Sequence, residues 1–379
     1  MRSLRACVFI LLFCAAFTAH AQKKRVRIFA SESISLSNIT ASFGSYELWA
    51  NNTRITSCSF DNKENIALSP VADAVRLSVN GKSLGTFSRV TFRSANEGCV
   101  LKICTNASPA GRNYEQDLEV YSDKGNLLLV SSIAIEKYVC SVLSGEIGYN
   151  AQPEFLKAKA IICRTFALSQ TSRHTDSRYD FCSETHCQVY KGRKEVTYQI
   201  IRAVKATEGK VIRDAQGTPI IAAFHSNCGG RTQNSEDAWS SSLPYLRSVV
   251  DSFCFDQPHG RWESKIPLTQ WKAYLQKTIS TNNPVPPGHG ESLDLIDPTR
   301  QKYYTYRGQQ IPMRQIRNDL NLKSAWFTIT ELQDTILLRG RGYGHGVGLC
   351  QEGAMKLADL DCSYDQIIRF YYKNVHISK

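Results

Sequence analysis

The hydrophobic period of the chain changes near residue 133, and that change divides it into two kinds of structure. Before it, short runs alternate apolar and polar side chains, as in Val26-Arg27-Ile28-Phe29 and Val75-Arg76-Leu77-Ser78-Val79. A period of two sends one side of a strand into a core. Asn80-Gly81, Asn96-Glu97-Gly98 and Asp123-Lys124-Gly125 punctuate these runs as turns. Beyond Ile133 the spacing is helical: Ile135, Tyr138, Val139, Val142 and Leu143 fall at i, i+3, i+4, i+7 and i+8. A second helix is expected to start at Pro153, which suits a first helical turn, and to carry Leu156, Ala160, Cys163 and Ala167 along one side.

The expectation is an α+β fold, with a β-rich part over residues 22–132 and a mixed helix and strand core with a substrate groove over 133–379. Within the core, a strand is expected at Ile220 to His225 ahead of a Cys228-Gly229-Gly230 turn. A polar Asn282 to Gly290 stretch marks an insertion around 265–330. A strand (Thr335 to Leu338), a glycine-rich loop (Gly340 to Gly348) and a helix (Glu352 to Leu360) close the chain.

Arg2 and Arg5 precede an apolar run from Ala6 to Phe17, followed by Ala19-His20-Ala21, the pattern of a signal peptide cleaved after Ala21. The run is too short for a membrane span, which needs about twenty apolar residues. Residues 1–21 are therefore read as a leader. The remainder is expected in the cell envelope, periplasmic or extracellular, with no stable membrane insertion. Loss of the leader takes Arg2 and Arg5 from a net charge of +12, leaving +10, and Cys7 and Cys14 from the thirteen cysteines, leaving eleven. An odd number cannot all pair, and connectivity is not legible in spacing. The positive charge suits a polyanion. Its bases are scattered, with no helix-turn-helix or stacking-aromatic motif, so nucleic acid is not the expected partner.

Glu146 follows Ile135 by eleven positions, three helical turns plus roughly 20°, and so falls on the apolar face of its helix. Partial desolvation and the nearby helix C-terminus both favour a protonated carboxyl, the state a general acid needs. The competing reading is a solvated glutamate just past a frayed helix end. In Arg339-Gly340-Arg341-Gly342-Tyr343-Gly344-His345-Gly346-Val347-Gly348 the glycines alternate and match no phosphate-binding loop. Either His345 and Gln351 line a cleft there, or the loop is a tight turn around a hydrogen-bonded histidine. His174, Cys182, His186 and Cys187 offer a zinc-like set of imidazoles and thiols, with a disulfide through Cys182 as the rival. His225 and Cys228 also suggest a nucleophile pair, although no orienting Asn or Asp marks it.

Several ordered stretches resemble the SpoIID/LytB family of bacterial cell-wall proteins. They are Tyr138-Val139-Cys140-Ser141-Val142-Leu143-Ser144-Gly145-Glu146, Glu154 to Ala160 with Arg164-Thr165-Phe166-Ala167, Thr185-His186-Cys187-Gln188-Val189-Tyr190, His225-Ser226-Asn227-Cys228-Gly229-Gly230, and Gly344 to Ala354. The chain departs from the family pattern at Gly148, Cys350 and Asp361. The resemblance implies a peptidoglycan lytic transglycosylase acting on peptide-stripped glycan strands, with Glu146 as the catalytic acid and base. It implies His345, Gln351, Tyr343 and Arg164 as substrate-orienting residues. No cofactor is then required for the chemistry, while a structural zinc is implied at His174, Cys182, His186 and Cys187. The family also contains amidase enhancers, which makes a non-catalytic glycan binder partnered with a cell-wall amidase the alternative.

Overall fold

The computed structural model of the chain describes residues 22–147, 151–170, 173–193, 196–239, 241–280 and 293–379. The expected leader and the Asn282 to Gly290 stretch lie outside these residues. The fold is α+β.

Up to Ala134 the chain forms two sheets that share one core. In spatial order the first holds Phe181–Cys182, Lys23–Ile28, Asn126–Ala134, Asp117–Asp123, Val90–Ser94, Ser45–Ala50 and Thr53–Ser59. The second holds Arg112–Glu115, Val100–Thr105, Ser37–Phe43, Ile66–Val71, Ala74–Val79 and Lys82–Phe87. Neighbours are antiparallel except at the edge, where Phe181–Cys182 runs parallel to Lys23–Ile28. Alternation drives the arrangement. Leu118 and Val120 of one sheet, and Ile39, Leu68 and Leu77 of the other, point into the same interior. Two of the expected turns have positive φ at both central residues, Asn80 (48°) and Gly81 (83°), and Lys124 (49°) and Gly125 (76°). That is the tight hairpin geometry whose twist matches the strands it joins.

Strand Asn126–Ala134 passes directly into helix α1 (Ile135–Ile147), which buries the expected stripe of Tyr138, Val139, Val142 and Leu143. Helix α2 (Pro153–Ser169) is apolar on more than one side, because it separates two cores. Leu156, Ala160, Cys163 and Ala167 pack toward the sandwich, whereas Phe155, Ala158, Ile161 and Ile162 pack into a second core with Ile212, Leu246, Leu349, Ile367 and Tyr371. The remaining helices are α3 (Tyr198–Ala206), α4 (Ser235–Ala238), α5 (Leu268–Ser280), α6 (Met313–Asp319), α7 (Gln351–Asp359) and α8 (Tyr364–Tyr371).

The strand expected at Ile220 to His225 is realised only at Phe224–His225, which pairs in parallel with Leu349–Cys350. The Ile220 N–H makes a single bond to the Ile212 carbonyl, and Ile220 and Ala222 are buried by the second core, so their apolar character reflects packing, not a long ladder. Between Arg261 and Arg341 lies a third core. It is built on the antiparallel strands Arg261–Pro267, Thr335–Arg341 and Phe327–Glu331, helices α5 and α6, and the hairpin Tyr303–Tyr306 with Gln309–Pro312. Trp262 lies flat against Gly340, where any Cβ would enter the indole ring.

Arg164 is buried within this architecture. It makes a two-pronged ion pair with Glu136 in the first turn of α1, at 2.7 and 2.6 Å, and donates to the carbonyl of Lys210 at 3.0 Å. Ten residues of α1 separate Glu136 from Glu146, about 15 Å along the axis. Arg164 thus clamps the far end of α1 to α2 and does not face the Glu146 end. Replacing it with alanine is expected to cost about 2–3 kcal/mol of unfolding free energy in a denaturant titration, through lost charged hydrogen bonds.

Candidate functional site

Glu146 occupies the last turn of α1 with its side chain only 10% exposed. Opposite it, on α2, Lys159 is fully buried and brings Nζ to 3.0 Å from Glu146 Oε2. The same ammonium lies 2.8 Å from the centre of the Phe224 ring, so an aromatic face and a carboxylate share one cation. The other carboxylate oxygen, Oε1, accepts the Val189 backbone N–H at 3.2 Å. Gly145 permits that approach, since a Cβ there would sit 2.9 Å from the Val189 carbonyl oxygen.

Lys159 is the residue that sequence reasoning missed. Its signal is a charged side chain in the middle of a helix whose surrounding positions are buried on several sides. Such a charge must find a partner, because an unpaired buried ammonium is very costly. The environment of Glu146 is accordingly less apolar than its place on the α1 stripe implies.

Val189 is held by the segment before it. Gln188 is buried and accepts a hydrogen bond from the Tyr138 hydroxyl of α1 at 3.1 Å. Cys187, His186, Cys182 and His174 place one donor atom each within 4.8 Å of one another. His174 Nε2 lies 3.2 Å from Cys187 Sγ, and His186 Nδ1 lies 3.4 Å from Cys187 Sγ and 3.7 Å from Cys182 Sγ. Cys182 is fixed at the edge of the first sheet by its register with Arg27. Hydrogen bonds, first from the Cys187 thiol and then from the Glu184 N–H and the two imidazoles, hold its thiol down to about 4. Two imidazoles and two sulfurs at this spacing fit a closed tetrahedral zinc site.

The glycine-rich loop reaches the same region from the other side. His345 donates from Nε2 to the Phe224 carbonyl at 2.9 Å and accepts the Val347 N–H at Nδ1, at 3.1 Å. Both ring nitrogens therefore serve the backbone, and what the side chain offers the cleft is its face, packed between Trp239 and His225 with ring centres 5.4 Å away in each case. Burial lowers His345 to about 4 and pushes His225 well below the usual imidazole range, so both rings are neutral near pH 7. His225 donates from Nδ1 to the Val347 carbonyl at 3.1 Å, and Cys228 turns to Asp251 and Cys254. The two do not form the nucleophile pair that their sequence suggests.

Phe224 thus joins the two halves of the site: its ring touches Lys159 and its carbonyl holds His345. From His345 and Trp239 a groove of about 880 Å³ runs between the second core and the inserted segment, lined by Arg231, Gln233, Arg314 and Arg317 among others. Arg300 pins its far wall, donating to the carbonyls of Cys228 and Arg231 at 2.9 and 3.0 Å while stacking on Trp326 and lying against Gly346. Tyr343 is exposed on the loop, its ring beside His259 and its backbone bonded to Asn227. Gln351 is half-buried at the first position of α7. Of the residues named from sequence, Glu146 is linked to His345 by a chain of contacts through Lys159 and Phe224 without itself lining the groove, and Arg164 lies outside this arrangement.

Lys159→Met leaves the Glu146 carboxylate without its cation and is expected to destabilise the fold by roughly 3 kcal/mol. Adding Glu146→Gln should recover a large part of that loss. A double-mutant cycle in urea reads the coupling, and strictly additive losses would show that the pair is not coupled.

The chain was compared with known proteins. The family model for stage II sporulation protein, SpoIID, matches residues 123–213, the span that carries Glu146, Lys159, Val189 and the four zinc-type donors. Stage II sporulation protein D of Bacillus subtilis (strain 168) is 30% identical over 271 residues, covering 66% of this chain and 76% of that protein. The protein of the same name from Bacillus amyloliquefaciens matches with the same identity and coverage. The amidase enhancer of Bacillus subtilis (strain 168) is 26% identical over 281 residues, covering 61% of this chain and 39% of that protein. With such identity maintained over most of a relative's length, and with the family model falling on the helices that build the Glu146 site, the chain belongs to the SpoIID/LytB family.

Proposed function

We propose that the protein is an exported peptidoglycan lytic transglycosylase that cleaves the bond between N-acetylmuramic acid and N-acetylglucosamine in peptide-stripped glycan strands. The observation that carries this reading is the nearly buried Glu146 carboxylate, held by Lys159 and Val189 and joined through Phe224 to the groove at His345. Family membership supports a cell-wall-related role.

In the proposed reaction Glu146 first takes up a proton from solvent, giving up its ion pair with Lys159, and then gives that proton to the glycosidic oxygen as the bond to muramyl C1 breaks. The C6 hydroxyl of the same muramic acid then attacks C1, and its proton passes to the Glu146 carboxylate, leaving a 1,6-anhydro end. No water is consumed, and the attacking oxygen comes from the substrate itself. One carboxylate therefore suffices where a hydrolytic glycosidase canonically uses two. Among the described residues, no second carboxylate bonds to Glu146, Lys159 or Val189. Lys159 stabilises the anionic form of Glu146 between the two proton transfers. The arginines of the groove suit the lactyl carboxylates that peptide removal exposes.

Zinc bound by His174, Cys182, His186 and Cys187 would supply a closed structural crosslink rather than chemistry. Its effect on Glu146 would pass through Val189, two residues beyond Cys187. Cys187→Ser is expected to lower the zinc content and the melting temperature, and to slow turnover without changing the chemical nature of the product ends. Metal analysis, thermal unfolding and product analysis check the three effects.

The decisive test is digestion of peptide-stripped glycan strands followed by mass spectrometry. The wild-type protein should yield 1,6-anhydro-muramyl ends, and Glu146→Gln should lower their rate of formation by about 100-fold or more. Reducing ends in their place would refute the transglycosylase step. The similarity to an amidase enhancer supports a second reading, a non-catalytic glycan binder that stimulates an amidase. That reading holds if the purified protein leaves glycan intact while Glu146→Gln retains full amidase stimulation.

A further inference from the structure

A second cluster of metal-type donors lies in the second core, apart from the four residues near Val189. Cys228, Asp251, Cys254 and Cys350 place one donor atom each within 4.8 Å of one another, and all four residues are buried. They come from three separate parts of the chain: the turn at Cys228-Gly229-Gly230, the short turn Ser252–Cys254 with the residue before it, and the residue that caps α7.

The carboxylate is the telling member. Asp251 is fully buried and receives the Tyr371 hydroxyl at 2.9 Å, the Phe253 N–H at 3.1 Å and the Cys228 thiol at 3.3 Å. Among the described residues no lysine, arginine or histidine forms an ion pair with it. Arg300 passes nearby but is spent on the carbonyls of Cys228 and Arg231. A buried carboxylate without a cation is strongly disfavoured.

The sulfurs point the same way. Cys350 Sγ accepts two backbone N–H groups, from Cys228 at 3.3 Å and Gly353 at 3.4 Å, the second of them in the first turn of α7. Two N–H donors converging on one sulfur are the contacts a metal-bound thiolate accepts. Cys228 Sγ and Cys254 Sγ are 3.3 Å apart. In a tetrahedral site with zinc–sulfur bonds of about 2.3 Å, sulfurs lie roughly 3.8 Å from each other, so the cluster closes on a metal with small side-chain adjustments. A disulfide between any two of these cysteines would instead leave a third buried thiol and an uncompensated carboxylate.

We propose that Cys228, Cys254, Cys350 and Asp251 form a structural site for a thiophilic divalent cation, zinc by donor chemistry. The cation replaces the missing counter-charge of Asp251. The net negative charge that remains on the site is met by the start of α7 and the two N–H donors to Cys350. The metal fastens the Cys228 turn and the Ser252–Cys254 turn to the Leu349–Cys350 strand, which pairs with Phe224–His225 and so supports one side of the groove.

The test starts from the variant Cys182→Ser/Cys187→Ser, which removes two ligands of the other cluster. After zinc loading and desalting it should retain about one zinc per chain, and adding Cys254→Ser should bring the count near zero. Thiol labelling of the unreduced wild-type protein gives a second readout that does not depend on a variant folding. Cys228, Cys254 and Cys350 should resist alkylation while zinc is present and all react, without any reductant, once the protein is unfolded in a chelator. A zinc content near zero in Cys182→Ser/Cys187→Ser together with a Cys228–Cys254 linked peptide, released only by reductant, would overturn the proposal in favour of a disulfide. Zinc-free protein in which all three thiols react without chelator would overturn it in favour of a simple buried thiol cluster.

Discussion

The ion pair between Glu146 and Lys159 sets the terms for the rest of the molecule. Two opposite charges that are almost entirely removed from water at 3.0 Å persist only where the surrounding backbone leaves them no alternative. That backbone is the contact between α1 and α2. Its far end is clamped by Arg164 on Glu136, and its near end by Val189 and Gln188. The pair is therefore located by helix packing, not by a loop, and its geometry inherits the rigidity of the two cores on either side of α2.

This arrangement explains why a β-sandwich precedes the helices. Within the first sheet the strand Asn126–Ala134 continues into α1, and the sheet's edge takes up Phe181–Cys182, which starts the segment leading to His186, Cys187 and Val189. The sandwich thus positions both the helix that carries the carboxylate and the start of the segment whose Val189 N–H meets it. The second core does the corresponding work for the opposite side, where Phe224–His225 and Leu349–Cys350 pair over only two residues each. So short a ladder cannot hold itself, and buried side chains around Cys228, Asp251 and Tyr371 hold it instead.

Much of the scaffold was legible because local periodicity encodes it. The α1 stripe and the proline that opens α2 fixed both helices, and the Asn-Gly and Lys-Gly pairs marked the hairpins. Partnerships across the chain were not legible. Arg164 sits in a stretch that resembles the family motif, yet its guanidinium is taken up by Glu136, a residue whose spacing gives no hint of the contact. Lys159 reads as one more helix former until α1 is laid against it. For His345 the sequence left two readings open, a residue lining a cleft or a hydrogen-bonded histidine in a tight turn, and only the fold shows that the Phe224 carbonyl and the Val347 N–H claim both of its nitrogens. Ile220 to Ala223 carried the apolar character of a strand but makes only single backbone bonds to its neighbours, from the Ile220 N–H to the Ile212 carbonyl and from the Leu349 N–H to the Ala223 carbonyl, so burial rather than a ladder accounts for it.

Arg300 adds a last consequence. It belongs to a segment with its own hydrophobic core, yet it reaches out to grip the glycine-rich loop at Gly346 and the carbonyls of Cys228 and Arg231. The outer segment is fastened to the rest of the groove by that guanidinium, by Arg314 on the Ala238 carbonyl at 2.6 Å and by the Gly344 N–H on the Lys323 carbonyl at 2.9 Å. A change in the length or charge of the outer segment therefore reshapes the far wall of the groove while leaving the contact between α1 and α2, and the Glu146–Lys159 pair it holds, as they are.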